Sequence, residues 1–295
     1  MAPARIARAL AKTGPAVSPD SGPDTLALID EAVRERLARH IARRPLVIGL
    51  CGAQGSGKST VAAGLKALLD GRGLKTAILS LDDLYLSKED REVLASSVHP
   101  LLKTRGVPGT HDGRLGEKVL DDLRNPGETL LPRFNKAIDS PCPRDAWDAF
   151  EGPAAVVIFE GWCVGARPQD GDDLARSVNA LEATEDSDCR WRRWVNDQLS
   201  AHYQQLFARV DMLVLLAAPD FQVVAAWRSE QEQALRRSLS ARGIDASQTL
   251  SDDDIAIFIQ HYQRLTEHII MSMPGYADIV VRLDKRRRPL DQAAR

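Results

Sequence analysis

The sequence predicts an α/β fold built on a mainly parallel, doubly wound sheet of five strands with helices on both faces. Three observations carry that prediction. Five short apolar runs lie along the chain, helical patterns separate them, and the first run leads straight into a glycine-rich loop and a helix. The runs are Leu46–Cys51, Thr76–Leu81, Ala154–Phe159, Met212–Ala217 and Ile279–Leu283. Most lack the polar alternation of a half-exposed strand, as a sheet covered on both faces requires. Helical patterns fall at Ser59–Leu69, Gly116–Leu123, Trp191–Val210, Phe221–Arg237 and Asp252–Met271, and alternation of this kind favours parallel pairing.

Ahead of the first strand, Leu26, Leu28, Ile29, Val33, Leu37 and Ile41 recur at helical spacing until Pro45 stops the pattern. Residues 1–23 read as a flexible arm. Met1 to Pro19 is rich in Ala and Arg without a single acid, and Pro15, Pro19 and Pro23 with Gly14 and Gly22 set it apart. It carries no secretory apolar core. Residues 24–295 then read as one domain. Two stretches depart from its alternation. Residues 87–152 are rich in Pro and Gly with one convincing short helix, which predicts an insertion on the substrate side. Gly165–Asp188 is irregular and acidic, and is expected to face solvent.

Composition narrows the partners. With 295 residues, a formal net charge of -2 and no apolar stretch of membrane-spanning length, neither nucleic acid nor membrane is an expected partner. The basic run Lys285–Arg288 reads as a solvated tail. Cys51, Cys142, Cys163 and Cys189 form no C-x-x-C pair, so no zinc site or disulfide framework is expected, which fits a reducing cytosol.

The glycine-rich loop is the strongest single signal. Gly52-Ala53-Gln54-Gly55-Ser56-Gly57-Lys58-Ser59 matches G-x-x-x-x-G-K-[ST], directly after a strand and directly before a helix. Glycines let the backbone wrap a phosphate with its N–H groups inward, and the helix start adds partial positive charge. In such a P-loop the lysine, here Lys58, meets the β- and γ-phosphates of ATP, and the Ser59 hydroxyl ligates Mg²⁺.

Two strand ends carry acids, where ligands of open α/β sheets bind. The second run leads into Leu81-Asp82-Asp83-Leu84-Tyr85, the third into Glu160-Gly161-Trp162. Phosphoryl transfer to an alcohol needs one carboxylate near the attacking hydroxyl and another near the metal. Asp82 or Asp83 suits the first role and Glu160 the second. Asp82 is preferred, because Asp83 can instead cap the segment that follows. Candidates for stabilising the transferring charge are Arg105, Arg133, Lys136, Arg228, Arg236 and Arg237, while His111-Asp112 is equally readable as a local hydrogen-bonded pair.

Taken together, these residues resemble the D-glycerate 3-kinase family and its bacterial and fungal kinase-like relatives, within the set that holds phosphoribulokinase, uridine kinase and pantothenate kinase. The resemblance rests on Gly52–Thr60, Leu81–Leu86, Arg105–Asp112, Leu131–Lys136, Phe159–Gly165, Val178-Asn179, Trp227–Gln231 and Arg282–Arg286. It implies strand order 2-3-1-4-5 and ATP-dependent phosphorylation of a small hydroxy acid, D-glycerate first. It also implies a nucleotide site at Gly52–Thr60 and a substrate side of Asp82, Tyr85, Arg105, His111, Asp112, Arg133 and Lys136, with Arg228 closing over the transferring phosphate. Phe134-Asn135 stands where relatives commonly carry Tyr-Asp. The competing readings are a kinase for pantothenate, a nucleoside or a phosphosugar, and an NTP-driven switch. The Asn-Lys-x-Asp pattern of guanine specificity is missing, which favours ATP.

Overall fold

The computed structural model describes residues 23–40, 44–136, 138–241 and 252–290. The arm expected before Pro23 lies outside the described residues. Helix α1 (Pro23–Arg39) stops short of the Pro45 boundary that the pattern suggests. Strand β1 (Leu46–Gly52), helix α2 (Lys58–Asp70) and strand β2 (Thr76–Ser80) follow. The remaining large-sheet strands are β7 (Val156–Gly161), β8 (Met212–Ala217) and β9 (Ile279–Arg282). Their order is β2-β7-β1-β8-β9, every pair parallel. Counting only these five strands, that is the expected 2-3-1-4-5.

The unbroken apolar runs are explained by what covers each face. Ile48, Leu50, Val156, Ile158, Val214 and Leu216 pack with Ile29, Val61, Leu65 and Val224 in one cluster. The alternate positions Val47, Cys51, Val157, Phe159, Leu213 and Leu215 pack on the other side with Leu120, Leu206, Phe207 and Tyr262. Side chains of one strand point alternately to the two faces, so both registers must be apolar. Cys51 and Cys163 are buried here, and burial pushes the Cys51 thiol up to about 12.

The insertion is more ordered than its composition suggests. It holds helices α3 (Lys88–Ser97) and α4 (Gly113–Asp122) rather than one short helix. Strands β3 (Gly127–Leu131) and β6 (Asp148–Gly152) pair antiparallel, as do β4 (Phe134–Asn135) and β5 (Ser140–Pro141). Polar, proline-broken strands of two to five residues leave too weak a period to read.

The acidic stretch 165–188 meets its expectation in part: Asp170, Asp172, Asp173, Glu185 and Asp188 face solvent, but the rest is more ordered. Helix α5 (Ala180–Glu185) lies within it, and Glu182 and Asp186 are buried. Each has a guanidinium partner: Arg264 at 2.7 Å from Glu182 and Arg192 at 2.8 Å from Asp186. The helix expected over Trp191–Val210 is α6 (Arg190–Gln198), a wider π-type turn at Leu199–Tyr203, and α7 (Gln204–Phe207). Two long helices, α8 (Phe221–Ala241) and α9 (Asp252–Ser272), complete the outer layer. Among the described residues no helix is long and apolar enough to cross a membrane.

Candidate active site

The loop between β1 and α2 forms the floor of the site. Gly57 opens α2 in the left-handed region, φ 89°, and its carbonyl accepts the Thr60 and Val61 amides. Gly55 is also left-handed, φ +76°, and a Cβ there would stand 2.7 Å from the Trp227 Cβ. Only glycine serves a position that needs both that conformation and that close approach. Ala53 and Ser56 are buried, Gln54 is half-buried, and the Ser56 Oγ has no hydrogen-bond partner. A buried hydroxyl without a partner, at the turn of an anion cradle, fits a ligand that brings its own oxygens.

Glu160 ends β7 beside this loop. Its register partners are Leu50 on β1 and Ser80 on β2. One carboxylate oxygen, Oε1, accepts the Ser59 hydroxyl at 3.1 Å and the Ser80 hydroxyl at 2.9 Å, and the other, Oε2, is buried with no partner. Burial raises the Glu160 carboxyl above its ordinary value, against the pull of Lys58. An unpaired carboxylate oxygen next to a serine hydroxyl is a donor set suited to a hard divalent cation. The site fits the metal its loop implies.

The two aspartates separate cleanly. Asp82 accepts the Tyr85 hydroxyl at 2.8 Å and the Lys136 ammonium at 2.7 Å. Burial works to raise its carboxyl, but Lys136 and Lys58 together with both hydrogen bonds hold it well below the usual carboxylate range. Asp83 turns the other way. It accepts Arg133 Nη1 at 2.7 Å and the Phe134 amide at 3.0 Å, which clasps the insertion to the end of β2. It caps no helix; Ser87 caps α3.

The insertion supplies the rest. Arg133 is shared between Asp83 and Asp148, the latter 2.6 Å from Nη2. Arg105 pairs with Asp139, which Arg91 also holds at 2.6 Å, and lies 5.8 Å from the Phe134 ring centroid. The Tyr85 ring stacks on His111 with centroids 4.7 Å apart. His111 Nδ1 meets the Tyr203 hydroxyl at 2.5 Å, and that oxygen also accepts the Gly109 amide at 3.0 Å. The other ring nitrogen, Nε2, is buried without a partner. Burial depresses this imidazole from 6.5 to about 3, so it is neutral.

Two expected site residues sit differently. Asp112 is exposed and caps α4, accepting the Leu115 amide at 2.9 Å. One of its carboxylate oxygens is taken by the helix start. Arg228 on α8 pairs with Glu232 at 2.8 Å and lies 5.7 Å from the Phe258 ring centroid. Tyr262, on the same helix α9 as Phe258, donates its hydroxyl to the Arg105 carbonyl at 2.8 Å.

Sequence reasoning missed four participants: Ser80, Asp139, Tyr203 and Arg287. Ser80 was reachable, since it ends a strand beside Glu160. Arg287 overturns part of the solvated-tail reading. Lys285, Arg286 and Arg288 are exposed, but Arg287 donates from Nε to the Gly55 carbonyl at 2.6 Å. No local pattern announces a contact between residues 232 positions apart.

A parallel sheet of this order, a phosphate loop after its central strand and acids at the neighbouring strand ends define a P-loop kinase. The comparisons agree. The chain is 33% identical over 234 residues to the "Uncharacterized kinase mug58" of Schizosaccharomyces pombe, covering 74% of this chain and 79% of that protein. It is 30% identical over 228 residues to the chloroplastic D-glycerate 3-kinase of Arabidopsis thaliana, covering 74% of this chain but 46% of that longer protein. Among solved structures, D-glycerate 3-kinase from Cryptococcus neoformans superimposes with TM-score 0.74 and 25% identity, over 92% of this chain and 99% of that one. No family model matches. The chain belongs to the D-glycerate 3-kinase family and its kinase-like relatives. P-loop kinases of this kind use ATP with a divalent metal.

Proposed function

We propose that the protein transfers the γ-phosphoryl group of ATP to an alcohol of a small hydroxy acid, D-glycerate to 3-phosphoglycerate in the first instance. The observation that carries this reading is the pairing of Asp82 and Glu160. They stand at the ends of adjacent strands, both within the field of Lys58, one linked to the cationic insertion and one with an unpaired carboxylate oxygen.

Lys58 and the amides of residues 52–60 hold the nucleotide phosphates, and Ser59 with Glu160 holds Mg²⁺. Bound there, the metal supplies charge neutralisation to the β- and γ-phosphate oxygens. Asp82 receives the acceptor hydroxyl. A carboxylate held so far below its usual range is a weak base, so Asp82 orients the hydroxyl and takes its proton late. A loose phosphoryl transition state asks little more of its base. Lys136 is over half exposed, so it can turn part of its charge from Asp82 to an acceptor carboxylate. Arg105 and Arg133 line the same side with Tyr85 and His111, and Arg228 closes over the transferring phosphate. Residues 24–295 act as one kinase domain, working on a small molecule in the cytosol.

The test is an acceptor panel followed by ³¹P NMR. ADP should form only when an acceptor is present, and D-glycerate should give the phosphomonoester signal of 3-phosphoglycerate. Faster turnover of pantothenate, a nucleoside or a phosphosugar moves the assignment to that acceptor. ADP formation stimulated by a protein, with no phosphorylated small molecule, points to a switch instead.

A further inference from the structure

The basic run after β9 is not used by the scheme above, yet one of its residues touches the phosphate loop. Asp284 closes the turn: its Oδ1 accepts the amides of Arg286 at 2.7 Å and Arg288 at 2.9 Å. Its carbonyl accepts the Arg287 amide at 2.9 Å. Arg287 is thereby held in the left-handed region, φ 65°, a conformation an arginine rarely adopts.

That conformation aims the guanidinium back at the site. Nε donates to the Gly55 carbonyl at 2.6 Å, and Nη2 meets Glu230 of α8 at 2.7 Å. The guanidinium carbon lies 5.1 Å from the Trp227 ring centroid. Trp227 is itself fixed, fully buried and donating from Nε1 to the Lys285 carbonyl at 2.8 Å. Gly55 is therefore gripped twice: Trp227 fills the space where a side chain would be, and Arg287 takes its carbonyl. The second arm of the same fork ends on α8, two residues beyond Arg228.

We propose that Arg287 is a positioning residue of the nucleotide site, pinning the Gly55 peptide to α8 so that the phosphate loop and Arg228 are set together. Holding the Gly55 carbonyl toward the C-terminal turn keeps that dipole from rotating toward the phosphates, where it would repel them. Only a planar, multi-donor cation can lie against an indole while bonding two separate oxygens. Lysine can keep the charge but not the bridge.

The proposal rests on reading residues 52–59 as the nucleotide site, and the experiment separates the two. Mg-ATP binding to the full chain is measured by calorimetry, and amide hydrogen exchange is followed in segments 52–60 and 225–233 with and without nucleotide. In the parent protein, nucleotide should slow exchange in both segments. Arg287→Lys should raise Kd for Mg-ATP about tenfold and abolish the slowing in 225–233, with the thermal midpoint unchanged. Glu230→Ala cuts only the α8 arm. It should lose the slowing in 225–233 while Kd changes by less than about threefold.

Unchanged Kd and unchanged protection in Arg287→Lys overturn the proposal. If that variant fails to fold, Glu230→Ala decides alone, and full protection of 225–233 in it is an overturning result. Absence of nucleotide binding by the parent protein instead removes the phosphate-loop reading, and the proposal with it.

Discussion

Residues 52–60 and residues 81–148 meet around Asp82, and they are held in place by different means. The first segment is contiguous, shaped by left-handed glycines and by backbone amides at a helix start. Its polar atoms are partly open: Ser56 Oγ lacks a partner, as does Oε2 of the neighbouring Glu160 on β7. The second is assembled from side-chain pairs between distant positions: Asp82 with Lys136, Asp83 with Arg133, Asp139 with Arg91 and Arg105. Its charges are already matched. A phosphate entering the loop makes new bonds, whereas an acceptor entering the insertion must share existing ones. Changes in the first region should therefore act on chemistry, and changes in the second, Asp82 at the junction apart, on affinity and stability.

The largest expected effect comes from Lys58→Ala, which should lower turnover by about 10³-fold or more at an unchanged thermal midpoint. Near-normal turnover in that variant breaks the distinction outright.

A sharper test pairs the two aspartates. Asp82→Asn should cut kcat by about 10²-fold with little loss of stability, because it removes the group that meets the hydroxyl. Asp83→Asn should cost about 1–2 kcal/mol in urea unfolding through the lost Arg133 clasp, with a smaller fall in kcat. The reverse ranking would exchange their roles.

His111 tests the insertion side through pH. Its imidazole is depressed from 6.5 to about 3 by burial, opposed by Asp82, and it faces Tyr85 and Tyr203. The unfolded chain therefore takes up the proton first. The stability this residue contributes is complete above 6.5 and is lost as pH falls toward 3. Urea midpoints should drop between about pH 7 and about pH 5, and drop less in His111→Gln. An identical pH slope in the variant would show that the imidazole is not held neutral.

The smallest effect is expected at Asp112. Asp112→Ala should cost about 1 kcal/mol as a lost helix cap and leave KM for the acceptor unchanged. A raised KM would return Asp112 to the substrate side.

How legible each region was follows from the same contrast. The phosphate loop is written in eight consecutive residues between a strand and a helix, and β8 falls on its predicted bounds. Both faces of the sheet are covered, so its strands announce themselves as unbroken apolar runs. The insertion hid one of its two helices and both hairpins because its strands are short and polar and its order comes from ion pairs. Asp82 and Lys136 are separated by 54 positions, Asp83 and Arg133 by 50. Neighbouring residue types cannot reveal which of two adjacent aspartates takes which cation; only the turn at Leu81–Asp83 points them apart. The buried Glu182 and Asp186 misled for a related reason, since acids read as solvent-facing until their arginines are found.

The sheet order carries one more consequence. Strands β2 and β7 lie side by side, and the whole segment from Leu81 to Ala155 leaves from one and returns to the other. The β2–β7 ladder and the phosphate loop after β1 are formed by residues outside that segment, although its Val119, Leu120 and Leu123 help cover one face of the sheet. The half proposed to hold the acceptor is thus strung between two adjoining strand ends. Exchanging it between relatives should carry acceptor preference across while nucleotide handling stays with the recipient.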